Sequence, residues 1–158
     1  MSSGQVRILQ AGVKAPSFTL ADHSGNMVSL ADFKGQRVLL YFYPEDDTPT
    51  CTAQACEFRD GWSEIRAAGA VVLGISPDTP AKHQLFRTRY GLPFPLLADE
   101  DRAVATAFGV WGEKEMYGRT VIGMIRTTFI IDATGVIEQV FPRVRTKGHA
   151  ARVLAALK

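Results

Sequence analysis

No stretch of this 158-residue sequence comes near the ~20 consecutive apolar residues that a membrane-crossing helix needs. Met1 to Gln10 has no apolar core of the signal-peptide kind, which points to a cytoplasmic protein. Charge of one sign is also scarce. The 18 basic and 16 acidic residues leave a net charge of +2, too mild a field to imply nucleic acid as a partner. There is no internal repeat, no low-complexity tract and no interdomain linker, so residues 1–158 read as one domain, long enough to bury a core without staples. Cysteine is rare: Cys51 and Cys56 are the only two. In a cytoplasmic chain a pair this close points to redox chemistry or metal binding rather than to a structural bridge. The three histidines, His23, His83 and His149, are distant in sequence and lack paired-ligand spacing, so a zinc site would want for ligands and no metal is expected.

What is present has the balance of an ordinary globular protein, 46% hydrophobic and 22% charged. Pro16 to Leu20 alternates, Ser24-Gly25-Asn26 is a turn cluster and Met27 to Leu30 follows, which predicts a small N-terminal β-hairpin covering one end of the domain. Val38 to Tyr43 is a run of branched and aromatic residues, a buried strand ended by Pro44. Thr48-Pro49 then starts a helix, with Thr48 at the N-cap and Pro49 in the first turn. Phe58, Trp62 and Ile65 continue its apolar face towards Gly69. Ala70 to Ile75 is a second buried strand, and strand–helix–strand implies parallel pairing with a right-handed crossover.

Thr79-Pro80 repeats the start signal for a helix with Leu85, Phe86 and Tyr90 up to Gly91. Phe94 to Ala98 is at best a short strand between prolines, Asp101 to Phe108 a short helix stopped by Gly109, and Trp111 to Gly118 reads as loop. Thr127 to Ile131 and Val136 to Phe141 flank a hairpin turn at Asp132-Ala133-Thr134-Gly135. Gly148 to Lys158 is amphipathic, with Val153, Leu154 and Leu157 inward. The order fits an α/β, thioredoxin-like sandwich: a central mixed β-sheet flanked by helices.

Cys51 falls in the first turn of the helix opened at Pro49. Unpaired N–H groups and the helix dipole favour an anion there, and a thiolate is such an anion. On one regular helix Cys51 and Cys56 lie ~140° apart around the axis, with Cα atoms ~8–9 Å apart. A disulfide needs less than ~7 Å, so any bridge between them requires at least a turn to unwind. Ala53-Gln54-Ala55, small and lightly anchored, could allow it. Four intervening residues disfavour a thioredoxin-type reductase, which uses two. An inert core cysteine also remains an alternative reading of either residue.

Pro44-x3-Thr48-x2-Cys51, with Cys56 five positions on, resembles the active-site signature of peroxiredoxins, and of their peroxiredoxin Q (bacterioferritin comigratory protein) subfamily in particular. The likeness extends through APSFTLADHSGNMVSLADFKG, VVLGISPDTPAKHQLF, YGLPFPLLAD and GMIRTTFIID. It implies a thiol peroxidase acting on hydrogen peroxide and organic hydroperoxides. Cys51 would be the peroxidatic cysteine, Thr48 the hydroxyl that bonds thiolate and peroxide, Pro44 the shield against water and Arg126 the cation. Cys56 would resolve the sulfenic acid as an intramolecular disulfide, with thioredoxin or a similar dithiol as reductant, no cofactor and a monomeric chain. The alternatives are a general thiol–disulfide oxidoreductase and a non-enzymatic redox switch or holdase.

Physical chemistry points the same way. Attack on an O–O bond needs an ionised sulfur, an in-line approach and help for the departing negative charge. Arg126 opens a strand that could lie beside Val38–Tyr43 and so reach Cys51. Thr50 stands where the family often has glycine, which stiffens the turn but tolerates helical geometry. Asp46 and Asp47 would oppose the thiolate unless they face solvent, as is expected of loop carboxylates. Asp78 and Thr79 read as turn and cap residues, His149 as a surface or helix-start residue, and Arg143, Arg145 and Lys147 as a solvated strand end.

Overall fold

The computed structural model describes residues 7–158, so residues 1–6, most of the Met1–Gln10 stretch, lie outside it. Strand β1 (Thr19–Asp22) turns at Ser24-Gly25 into β2 (Met27–Ser29), and a 3₁₀ turn at Leu30–Phe33 leads into β3 (Arg37–Phe42). After α1 (Pro49–Asp60) and α2 (Trp62–Ala67) come β4 (Ala70–Ser76), α3 (Pro80–Tyr90), β5 (Leu96–Ala98) and α4 (Ala103–Ala107). The chain ends in β6 (Trp111–Met116), β7 (Arg119–Met124), β8 (Thr127–Ile131), β9 (Ile137–Phe141) and α5 (His149–Leu157).

Among the described residues seven strands form one mixed sheet in the order β2-β1-β5-β4-β3-β8-β9. β3 is parallel to β4, as the strand–helix–strand pattern requires, and antiparallel to β8, with Phe42 opposite Thr127. Side chains alternate across β3 and so feed two cores. Val38, Leu40 and Phe42 pack with Phe129, Ile131 and Phe108 on the α4 face. Leu39, Tyr41 and Tyr43 pack with Phe58, Ile65, Phe86 and Val153 beneath α1, α2, α3 and α5. This is the thioredoxin-like α/β sandwich expected from the sequence. Among the described residues no helix is long and apolar enough to cross a membrane.

Three expectations are corrected. The N-terminal hairpin is not a cover over one end of the domain, because β1 pairs with β5 and extends the sheet edge. The predicted single helix from Pro49 to Gly69 breaks at Gly61 (φ −93°, ψ 5°), the residue with the weakest helix preference after proline. On α3, Leu85 is 73% exposed, while His83 and Phe86 form the buried stripe. Trp111–Gly118 is not loop. β6 and β7 form a separate two-stranded ribbon joined by Tyr117-Gly118, both at positive φ (54° and 75°), as a two-residue hairpin turn requires. Most of β6 lies off the core, so Glu113, Lys114 and Glu115 carry no apolar alternation that would mark a strand.

Candidate active site

The first helical bond of α1 runs from the Thr52 N–H to the Thr48 carbonyl at 2.8 Å, so the N–H groups of Thr50 and Cys51 precede it, at the positive end of the dipole. Thr48 occupies the N-cap with extended backbone, but its side chain makes no cap bond. Its hydroxyl donates instead to the Glu45 carbonyl at 3.0 Å, which leaves the oxygen as an acceptor. Cys51 is buried at 2% exposure, Cys56 is half-buried, and both are free thiols on the same intact helix.

The pairing of β8 with β3 brings Arg126, one residue before β8, against the start of α1. Its Nη2 donates to Cys51 Sγ at 3.1 Å and its Nη1 to Gln54 Oε1 at 2.6 Å. A guanidinium on sulfur stabilises negative charge there. Gln54 is fully buried and Ala55 likewise, so the Ala53–Ala55 stretch is firmly held rather than lightly anchored. The sequence reading missed the role of Gln54. Its signal was the i, i+3 spacing from Cys51, which puts both on one helix face.

An open cleft of about 750 Å³ reaches Arg126, while Cys51 and Thr48 are not among the residues that line it. Pro44, Thr50 and Arg126 line it together with Lys114 and Met116 of the β6–β7 ribbon and Arg143. Lys114 joins Arg126 and Arg143 as a cation of the cleft and was hidden in the segment taken for loop. Its Nζ donates to the Met124 carbonyl at 2.8 Å, and a Cβ on Gly123 would come within 3.0 Å of its Cε, so glycine there gives the lysine its bed. Burial and then Arg126 push its ammonium below the ordinary value, while Cys51 pushes it back up. Trp111 stacks under Arg102, and Tyr117 is 98% exposed at the ribbon tip.

Asp46 does not face solvent; it is buried at 2% exposure and accepts from the Tyr43 hydroxyl at 2.6 Å while contacting His83 Nδ1 at 2.6 Å. Asp47 is the one turned outward, paired with Arg89 and Tyr90. Asp78 is more than a turn residue. It accepts from the Asp46 N–H and the Ser76 hydroxyl and pairs with Lys82. Burial pushes its carboxyl up, but those hydrogen bonds prevail and hold it below the usual carboxylate range. Asp46, Asp78 and His83 bring ligand atoms within 4.8 Å of one another, yet each is already bonded within the protein. His149 starts α5 but is buried, sharing a 2.9 Å hydrogen bond with Thr128.

The AhpC/TSA family model matches residues 11–140. The putative peroxiredoxin bcp of Coxiella burnetii is 51% identical over 149 residues, covering 94% of this chain and 99% of the relative. Peroxiredoxin Bcp of Escherichia coli K12 is 51% identical over 150 residues, covering 95% and 96%. Among solved structures, a cysteine variant of Xanthomonas campestris peroxiredoxin Q superposes with a TM-score of 0.88 at 37% identity, covering 94% of this chain and 98% of the other.

Proposed function

The chain belongs to the AhpC/TSA family and its peroxiredoxin relatives imply thiol peroxidase activity; from that premise we propose that it reduces peroxides at Cys51, with Cys56 as the resolving partner. The observation that carries the reading is the Arg126 Nη2 contact with Cys51 Sγ at 3.1 Å, at the first turn of a helix.

In the first step the Cys51 thiolate attacks one peroxide oxygen in line with the O–O bond. That bond breaks, sulfur takes the oxygen as sulfenic acid, and the departing alkoxide or hydroxide takes up a proton to leave as alcohol or water. Arg126, 3.1 Å from the sulfur, offers its guanidinium to the developing negative charge. The Thr48 oxygen, its hydrogen committed to Glu45, is free to accept from the peroxide O–H and so orients it. Pro44, on the cleft wall, limits water at the sulfur.

In the second step the Cys56 thiol condenses with the sulfenic acid, forming the disulfide and releasing water. Both cysteines sit on one helix, ~8–9 Å apart at Cα, so the first turns of α1 must open for the bond to form. Thioredoxin or a similar dithiol then reduces the disulfide, and the protein works as a monomer. Stopped-flow oxidation of the reduced protein by hydrogen peroxide and organic hydroperoxides, followed by mass spectrometry, tests the scheme. Rapid oxidation and an intramolecular Cys51–Cys56 disulfide are expected. Oxidation that persists unchanged in Cys51→Ser would sink it.

A further inference from the structure

Three consecutive acidic residues lead into the Thr48 turn, and each is held by α3. Glu45 pairs with Lys82 at 3.0 Å, Asp46 with His83 at 2.6 Å, and Asp47 with Arg89 at 2.8 Å and the Tyr90 hydroxyl at 2.9 Å. None of these partners lies on α1. The outer two pairs are exposed to solvent and worth little. The middle one is different: His83 and Asp46 side chains are fully buried, and the Asp46 N–H is tied to Asp78 at 2.7 Å.

The hydrogen bonds of His83 fix how many protons the pair holds. Its Nε2 lies 3.0 Å from the Leu97 carbonyl, which can only accept, so Nε2 carries a hydrogen. Between Nδ1 and Asp46 Oδ2, 2.6 Å apart, lies one further proton, and the other carboxylate oxygen accepts from Tyr43. Every polar atom of the pair is therefore used, which is the condition under which a buried polar cluster fixes one conformation.

We propose that Asp46 and His83 are positioning residues for the peroxide reaction: a buried latch that keeps the Pro44–Thr48 loop in place on α3 while the first turns of α1 open and close. The proposal rests on the local opening of α1 in the proposed function. The bonds that must break on the α1 side, Arg126 to Gln54 and Sγ, are separate from those that hold the loop. The loop thus stays formed when Cys51 leaves, and the pocket is ready when it returns.

Native-state amide hydrogen exchange on the reduced and the peroxide-oxidised wild-type protein tests this directly. On oxidation, amides of Thr52 to Cys56 should lose protection while those of Asp46 and His83 keep theirs. Loss of protection at Asp46 together with the helix would overturn the latch. If the wild type forms no disulfide, the proposed function fails instead, so the two failures are distinguishable. Variants give a second test. His83→Leu should slow Cys51 oxidation by about ten- to hundred-fold. Asp46→Asn, whose amide can donate to a neutral imidazole and accept from Tyr43, should stay within about three-fold of wild type. Val153→Ala, on the buried face of α5, serves as a control that lowers the melting temperature without slowing oxidation. Should His83→Leu fail to fold, Asp46→Ser, which keeps the imidazole and its bond to the Leu97 carbonyl, is expected to fold and to show the same slowing. A folded His83→Leu or Asp46→Ser protein oxidised at the wild-type rate overturns the proposal.

Discussion

The Arg126 guanidinium donates to the Cys51 sulfur at 3.1 Å, and the two residues are 75 positions apart in the chain. The contact exists because Thr127 pairs with Phe42, which places the start of β8 beside the end of β3, where the loop to α1 departs. A charge-assisted hydrogen bond of this kind is worth about 1.5–3 kcal/mol. Arg126→Ala should therefore slow the oxidation of Cys51 by hydrogen peroxide by about ten- to hundred-fold in stopped-flow measurements. Arg126→Lys should be intermediate, since a lysine restores the charge but cannot bond sulfur and Gln54 with one planar group. An unchanged rate in Arg126→Ala would remove the arginine from the reaction.

Gln54 fixes the other arm of that guanidinium at 2.6 Å while fully buried. Gln54→Leu keeps the volume and removes the acceptor. The expected result is a roughly five-fold slower oxidation, corresponding to about 1 kcal/mol of lost orientation. A rate equal to wild type would mean that packing alone holds Arg126.

The two cysteines should separate the two chemical steps. Cys56→Ser is expected to be oxidised once at the wild-type rate and then to accumulate sulfenic acid, seen by mass spectrometry after trapping with dimedone. Cys51→Ser should consume no peroxide. Loss of the first oxidation in Cys56→Ser would show that the roles are wrongly divided.

His149 gives a pH dependence. Burial, and then the nearby Arg152, push its pKa down to about 4 from an ordinary 6.5. Between those values the unfolded chain binds a proton that the folded chain refuses, so stability falls as pH drops from about 6.5 to 4. The urea midpoint should thus decline over this range, and decline less in His149→Gln, whose amide can still bond Thr128. Parallel curves for the two proteins would exclude His149 as the source.

Glu57 caps α5 from outside, accepting from the Gly148 and Ala150 N–H groups at 2.9 and 3.2 Å. Glu57→Ala should lower stability by about 1 kcal/mol, the usual worth of a cap, and the melting temperature by roughly 2–4 °C. No change on a thermal melt would mean that water replaces the carboxylate without loss.

Local chemistry made much of this protein legible in its sequence. Val38–Tyr43 is apolar without a break because both faces of β3 are covered, and Thr48-Pro49 carries the local preferences of an N-cap and a first helical residue, so Cys51 at the helix start followed from neighbours alone. The five-residue step from Cys51 to Cys56 is read directly, and the helical repeat turns it into a separation that a disulfide could bridge only if α1 opened. What the sequence could not supply depended on pairing between distant segments. No local pattern announces that Asp46 is buried against His83, because a loop carboxylate looks the same whether it meets solvent or an imidazole 37 residues on. The β6–β7 ribbon that sets Lys114 beside Arg126 went unseen because most of it packs on no core and so carries no apolar alternation. The sequence placed the sulfur and, through its resemblance, named Arg126; sheet register, which is a property of the whole fold, brings that guanidinium within 3.1 Å of the sulfur and decided which buried pair lies beside the loop.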